Sequence, residues 1–199
     1  MDWSSEIRAY SSWLVLEHHS AWSSSMIRSP EIWQKPCLPY YKVNYDTAIR
    51  SSFSAQAAVV RNFSGSVIGC SSIISPPCSA LYGEARAALL GAQLAISLNI
   101  TSFILEGDSQ TVFRALQNFT VIQDWRISSM ISHIRATIPS STSWSASLIN
   151  RSANFCAHYV ASWAATRLHS GCIPISLPFV VEPSPTCFGK ASLSSFLIP

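Results

Sequence analysis

The chain has 199 residues and a net charge of +3, and charged residues make up only 12% of it against about 25% in a typical soluble domain. That length holds one domain with a real core plus tails, and the 48% apolar content excludes disorder through charge excess in the middle of the chain. The small net charge neither announces nor forbids a nucleic-acid partner, because phosphate binding depends on how Lys and Arg are gathered on one face.

In chain order, residues 1–39 mix Ser, Trp and Pro without sustained periodicity, apart from a short helix expected around residues 7–17, and read as an appendage. They open MDWSSEIRAY, with an acid at position two and a brief apolar patch at 13–16, and so lack the n-region and h-region of a secretory leader. His18 and His19 are adjacent and alone, which suits a surface pair better than a metal site. The segment YKVNYDTAI (41–49) then reads as a strand: at period two, Val43 and Tyr45 point one way while Lys42, Asn44 and Asp46 point the other. An edge strand would leave Asp46 in water; a central one would need partners for it. Next comes a hairpin, with a strand to Val60, a turn at 62–65 and a returning strand over 67–74.

SALYGEARAALLGAQLAISLNI is a long helix with Ser79 as its cap, TSFILEGD a short buried strand, and SQTVFRALQNF a second helix. DWRISSMISHIRATI is a third helix, with Ile127, Met130, Ile131 and Ile134 at helical spacing. SWSASLIN is a strand and SANFCAHYVASWAATRL a last helix. Trp125 and Trp163 have the placement of core aromatics, Trp125 with the further option of stacking on nucleic acid. The order predicts an α/β domain over residues 40–169: a mixed five-stranded sheet, three antiparallel strands and then parallel ones, with helices on both faces. From residue 170 the prolines at 174, 178, 183, 185 and 199 break helix and strand alike, leaving an irregular Pro/Ser-rich tail over 170–199.

Six cysteines show no C-x-x-C pair and no zinc spacing, which points to free thiols in a reducing compartment. No run of about 18 apolar residues is present, so the expectation is an intracellular protein, nuclear or cytoplasmic, with no membrane partner.

Sites in such sheets form outside the carboxyl ends of parallel strands, where Asp108 falls. Asp46 on the first strand and Glu84 early in the long helix are its candidate partners. Glu84 shares its face with Ala87, Ala88, Gly91 and Ala95, all small, so the helix can lie close to the sheet. Singly, each acid has a plainer reading: Glu84 as complement to the helix dipole, and Asp108 or Ser109 as cap of the next helix. Together they would repel unless a cation sat among them, and a hard ion such as Mg²⁺ accepts carboxylates while keeping water and phosphate ligands. Two such ions can stabilise the attacking and leaving oxygens of a phosphoryl displacement.

KVNYDTA, YGEARAALLGAQLA, ILEGDSQTVFRAL and NRSANFCAHYVASWA, in that order and spacing, resemble the type 1 ribonuclease H fold. The resemblance is to its reverse-transcriptase-like domains, abundant in plants and derived from retroelements, and it spans residues 33–168. It implies a ribonuclease H-like fold and a metal-dependent endonuclease that hydrolyses the RNA strand of RNA–DNA hybrids. Asp46, Glu84 and Asp108 would be catalytic metal ligands for two Mg²⁺ ions, with Mn²⁺ as the alternative. The pattern departs from the family at Thr47, where glycine usually follows the first acid, and at His158, where active members commonly carry a fourth acid. His158 is then either a partly buried helix residue or a weaker metal ligand or proton carrier. Asn44 could bond a neighbouring polar group or the substrate backbone, and Asn154 could cap the last helix or touch substrate. The expected partner is an RNA–DNA hybrid, bound by a monomer; the rival expectation is a domesticated module that binds nucleic acid and cuts weakly or not at all.

Overall fold

The computed structural model describes residues 32–117 and 124–176. The helix expected around 7–17, the His18–His19 pair and the tail beyond 176 lie outside the described residues.

Ten elements follow one another: β1 (Tyr41–Ile49), β2 (Ser54–Arg61), β3 (Val67–Ser75), α1 (Ala80–Ser97), β4 (Ser102–Gly107), α2 (Gln110–Gln117), α3 (Trp125–Thr137), β5 (Ser143–Leu148), α4 (Phe155–Arg167) and β6 (Gly171–Cys172). The sheet has six strands in the order β5-β4-β1-β2-β3-β6. β1, β2 and β3 meander antiparallel, while β4 and β5 run parallel to β1 after helical crossovers. The sixth strand departs from the expected five. Gly171 and Cys172 pair with Ser72 and Ser71 of β3, and Ile173 N–H donates to Cys70 O at 2.9 Å. A two-residue strand that begins with a glycine and stops two residues before Pro174 carries no periodicity to read.

β1 is a central strand, so residues 43–46 are buried on both faces. On one face Val43, Tyr45, Phe103 and Leu105 pack against α1 and against Ile127, Ile131 and Ile134 of α3, each isoleucine worth about 1.5–3 kcal/mol of burial. On the other, Ala57, Val59 and Cys70 pack against Val160, Ala161 and Ala164 of α4. All eight residues of β2 are buried, which is why it shows no alternation. The small face of α1 sits tight on the sheet: a Cβ on Gly91 would lie 2.9 Å from Val43 Cγ1. Trp125 departs from the expected core position, at 83% exposed. It precedes Ile127 by two residues, which turns it away from the stripe that faces the sheet.

Trp33 folds back onto the sheet. Its Nε1 donates to Glu106 Oε2 at 2.9 Å, and its ring carries Arg61 Cζ 4.0 Å above the centroid. Glu106 also pairs with Lys42 Nζ at 2.8 Å. No helix among the described residues is long and apolar enough to cross a membrane.

Candidate metal centre

Three elements deliver the acids to one end of the sheet. Asp46 lies toward the carboxyl end of β1, and Asp108 follows the last residue of β4, the parallel neighbour of β1. Glu84 lies just past the first turn of α1, a helix started by Ser79, whose Oγ accepts from Tyr82 N at 3.3 Å. At the start of α2 the capping falls to Ser109, whose Oγ accepts from Val112 N at 3.4 Å. One carboxylate oxygen from each of Asp46, Glu84 and Asp108 lies within 4.8 Å of the others; among the described residues this is the one such group of metal-ligating side chains.

The electrostatics are those of crowded anions. Burial, with the charge of Asp46 beside it, holds the Glu84 carboxyl well above the ordinary carboxylate range. Burial and Asp46 also raise Asp108, against the opposing charges of Arg151 and His158. Tyr45, beneath them in the core, has its hydroxyl pushed far above the usual phenol range by burial and by Glu84 and Asp108. What holds the acids in place is a set of donors. Thr47 N–H serves two of them, Asp46 Oδ1 at 2.6 Å and Glu84 Oε1 at 3.2 Å. His158 Nδ1, from α4, donates to Asp46 Oδ2 at 2.6 Å.

Asn44 and Asn154 are fully buried. Asn44 Nδ2 donates to Glu106 Oε2 at 3.1 Å and to Asn154 Oδ1 at 3.4 Å, and Asn154 Nδ2 donates to Tyr45 O at 2.9 Å. Asn154 occupies the cap position of α4 without a side-chain cap bond, because its amide is turned to the sheet instead. Sequence reasoning missed the double role of the Thr47 amide, which no side-chain pattern encodes. It also missed Arg151, two residues past Ile149, whose N–H donates to Gly107 O at 3.0 Å and so ties this loop to the end of β4.

The site fits a hard divalent cation. Its donors are all carboxylate oxygens, and Glu84 Oε2 is shielded from solvent with no hydrogen-bond partner, an arrangement that is costly unless a cation supplies the missing contact. The profile of a family described as reverse transcriptase-like matches residues 44–164, more than half of the chain. The chain belongs to the reverse transcriptase-like family. Solved structures similar to this reverse transcriptase-like domain include RNase H1 from the halophilic archaeon Halobacterium salinarum NRC-1, with a TM-score of 0.59 and 19% identity over 64% of this chain and 98% of that one. LC11-RNase H1, crystallised in complex with an RNA/DNA hybrid, gives 0.56 and 14% over 64% and 98%. The N-terminal RNase H domain of rv2228c from Mycobacterium tuberculosis gives 0.53 and 17% over 58% and 91%. At these identities the likeness is one of fold, and the fold is ribonuclease H-like. No curated protein matches.

Proposed function

We propose that this reverse transcriptase-like domain is a divalent-metal-dependent endonuclease that hydrolyses the RNA strand of RNA–DNA hybrids. The observation that carries the reading is the meeting of Asp46, Glu84 and Asp108 within 4.8 Å, with the buried Oε2 of Glu84 left without a partner. Asp46, Glu84 and Asp108 would hold Mg²⁺, as two ions, or Mn²⁺. Bound there, such ions supply charge stabilisation for the attacking and leaving oxygens of a phosphodiester. Asp46 is held in place between the Thr47 amide and His158, and Glu84 is aimed by the same amide. Asn44 and Asn154 would serve by tying β1 to α4, their amide nitrogens bonding Glu106 Oε2, Asn154 Oδ1 and Tyr45 O. Arg151 places a cation beside Asp108, where an approaching phosphate would be drawn. Recognition would follow the shape of the hybrid, through backbone and 2′-OH contacts. The domain would act as a monomer inside the cell, in the nucleus or cytoplasm, where its described cysteines remain the free thiols seen here.

The second reading, a module that binds the hybrid without cutting it, draws on His158, an imidazole on Asp46 where the resemblance leads one to expect a carboxylate. Incubating the purified chain with an end-labelled hybrid, in Mg²⁺, in Mn²⁺ and in excess chelator, separates the two. RNA-strand shortening in either metal and none in chelator is expected. Retention of hybrid on a gel with no shortening in any metal selects the binding module; product that ignores the chelator overturns the metal reading.

A further inference from the structure

Thr47 stands where the family pattern usually has glycine, and its side chain points at α1. A Cβ added to Gly83 would lie 2.8 Å from Thr47 Oγ1, 2.9 Å from Thr47 Cγ2 and 3.2 Å from Ile49 Cδ1. Helix α1 can approach β1 this closely only because residue 83 has no side chain. Nor can Thr47 turn aside. Its Oγ1 donates to Ala55 O at 3.3 Å and accepts from Gln56 Nε2 at 3.3 Å, while the same Gln56 amide donates to Ser54 Oγ at 2.9 Å. Branching at Cβ restricts its remaining rotamers. The contact is one residue away from Glu84 on the helix and one residue away from Asp46 on the strand. The amide of the same Thr47 bonds both carboxylates.

We propose that Thr47 and Gly83 form an interlocked pair that sets the separation of Asp46 and Glu84, making both positioning residues for the metal centre. The threonine side chain spaces the helix, the missing Cβ lets it seat, and the threonine amide then reaches the Glu84 carboxylate. The consequence for metal affinity rests on the function proposed above; the interlock itself is a property of the metal-free fold. A substitution that lengthens the Thr47–Glu84 hydrogen bond should loosen the cation site without touching a ligand, as changes behind metal ligands commonly do.

The test compares the full chain with Gly83→Ala, Thr47→Gly and the double variant. Two quantities are measured: exchange of the residue-47 amide proton in the metal-free protein, and Mn²⁺ affinity by calorimetry. Gly83→Ala should speed residue-47 exchange and weaken Mn²⁺ binding by about tenfold or more. With the threonine gone, adding alanine should change little, so Thr47→Gly and the double variant should agree within about twofold. Alanine is the better helix former, so if residue 83 mattered only to its own helix, Gly83→Ala would bind and exchange like wild type, and that result overturns the proposal. Should Gly83→Ala fail to fold, the comparison of Thr47→Gly with the double variant still decides: a tenfold gap means that something other than Thr47 resists alanine. A wild type that binds no Mn²⁺ overturns the metal reading, and residue-47 exchange in the metal-free variants then still decides the interlock.

Discussion

Asp46 enters any metal complex with both oxygens already engaged, Oδ1 by the Thr47 amide and Oδ2 by His158. Each oxygen keeps a further lone pair, so the donors fix the carboxylate without blocking it. Replacing Asp46 by Asn should lower hybrid cleavage by at least about a hundredfold, the usual scale for losing a charge-stabilising group, while circular dichroism shows the fold kept. Full activity in Asp46→Asn would remove the acid from the centre. His158→Asp should raise activity at limiting Mg²⁺ by about tenfold and narrow any preference for Mn²⁺, since a carboxylate is a hard ligand and imidazole is not. Superimposable metal titrations for wild type and His158→Asp would place His158 outside the metal centre, neither a ligand nor a needed support for Asp46. The three acids were legible because a strand end, a small-faced helix and a parallel-strand terminus each leave a sequence trace. The Asn154 side chain was not: a residue at a helix start has a local use and a distant one, and only the packing of α4 on β1 shows that Tyr45 O wins.

Among the elements, β4 carries a second buried acid with a different task. Glu106 is almost fully buried and gathers Lys42 from β1, Asn44 from β1 and Trp33 from the segment before it. Glu106→Ala would leave the Lys42 ammonium without its partner in a mostly buried setting. It should cost about 3–5 kcal/mol in urea denaturation. A loss below about 1 kcal/mol, the worth of an exposed pair, would mean that Lys42 reaches water instead. The helices and the three antiparallel strands could be read from periodicity and turn residues. The docking of Trp33 could not, because one tryptophan in an aperiodic stretch leaves no pattern, and the exposure of Trp125 ran against the habit of placing tryptophan inside.

For the molecule as a whole, the acid cluster opposes folding until it is neutralised. The folded-state pKa values of Glu84 and Asp108 are raised, so the folded chain holds their protons more tightly than the unfolded chain does. Their contribution to stability is therefore full below the ordinary carboxylate range and is lost as pH rises through the raised values. In metal-free buffer, Asp108→Asn should lose less stability than wild type as pH rises above the ordinary carboxylate range; parallel curves would detach Asp108 from the cluster. Divalent ions that bind only the folded chain act in the opposite sense. At a Mn²⁺ concentration about a hundredfold above its Kd the gain is about 2.7 kcal/mol, or roughly 5–10 °C in Tm for a chain of this size. A Tm indifferent to millimolar Mn²⁺ and Mg²⁺ would show that the cluster takes up no cation.

The contact between Thr47 and Gly83 also constrains how such a chain can change over generations. A lineage with threonine after the first acid cannot acquire alanine at residue 83 by a single step, because the new methyl would arrive against Oγ1 and Cγ2 while Oγ1 is held by its hydrogen bonds. If the threonine first gives way to glycine, the alanine becomes free to appear. In the reverse direction the methyl must leave before the threonine enters. One order of substitution is open and the other closed, so relatives should show threonine with glycine, glycine with glycine or glycine with alanine at these two positions, and lack threonine with alanine.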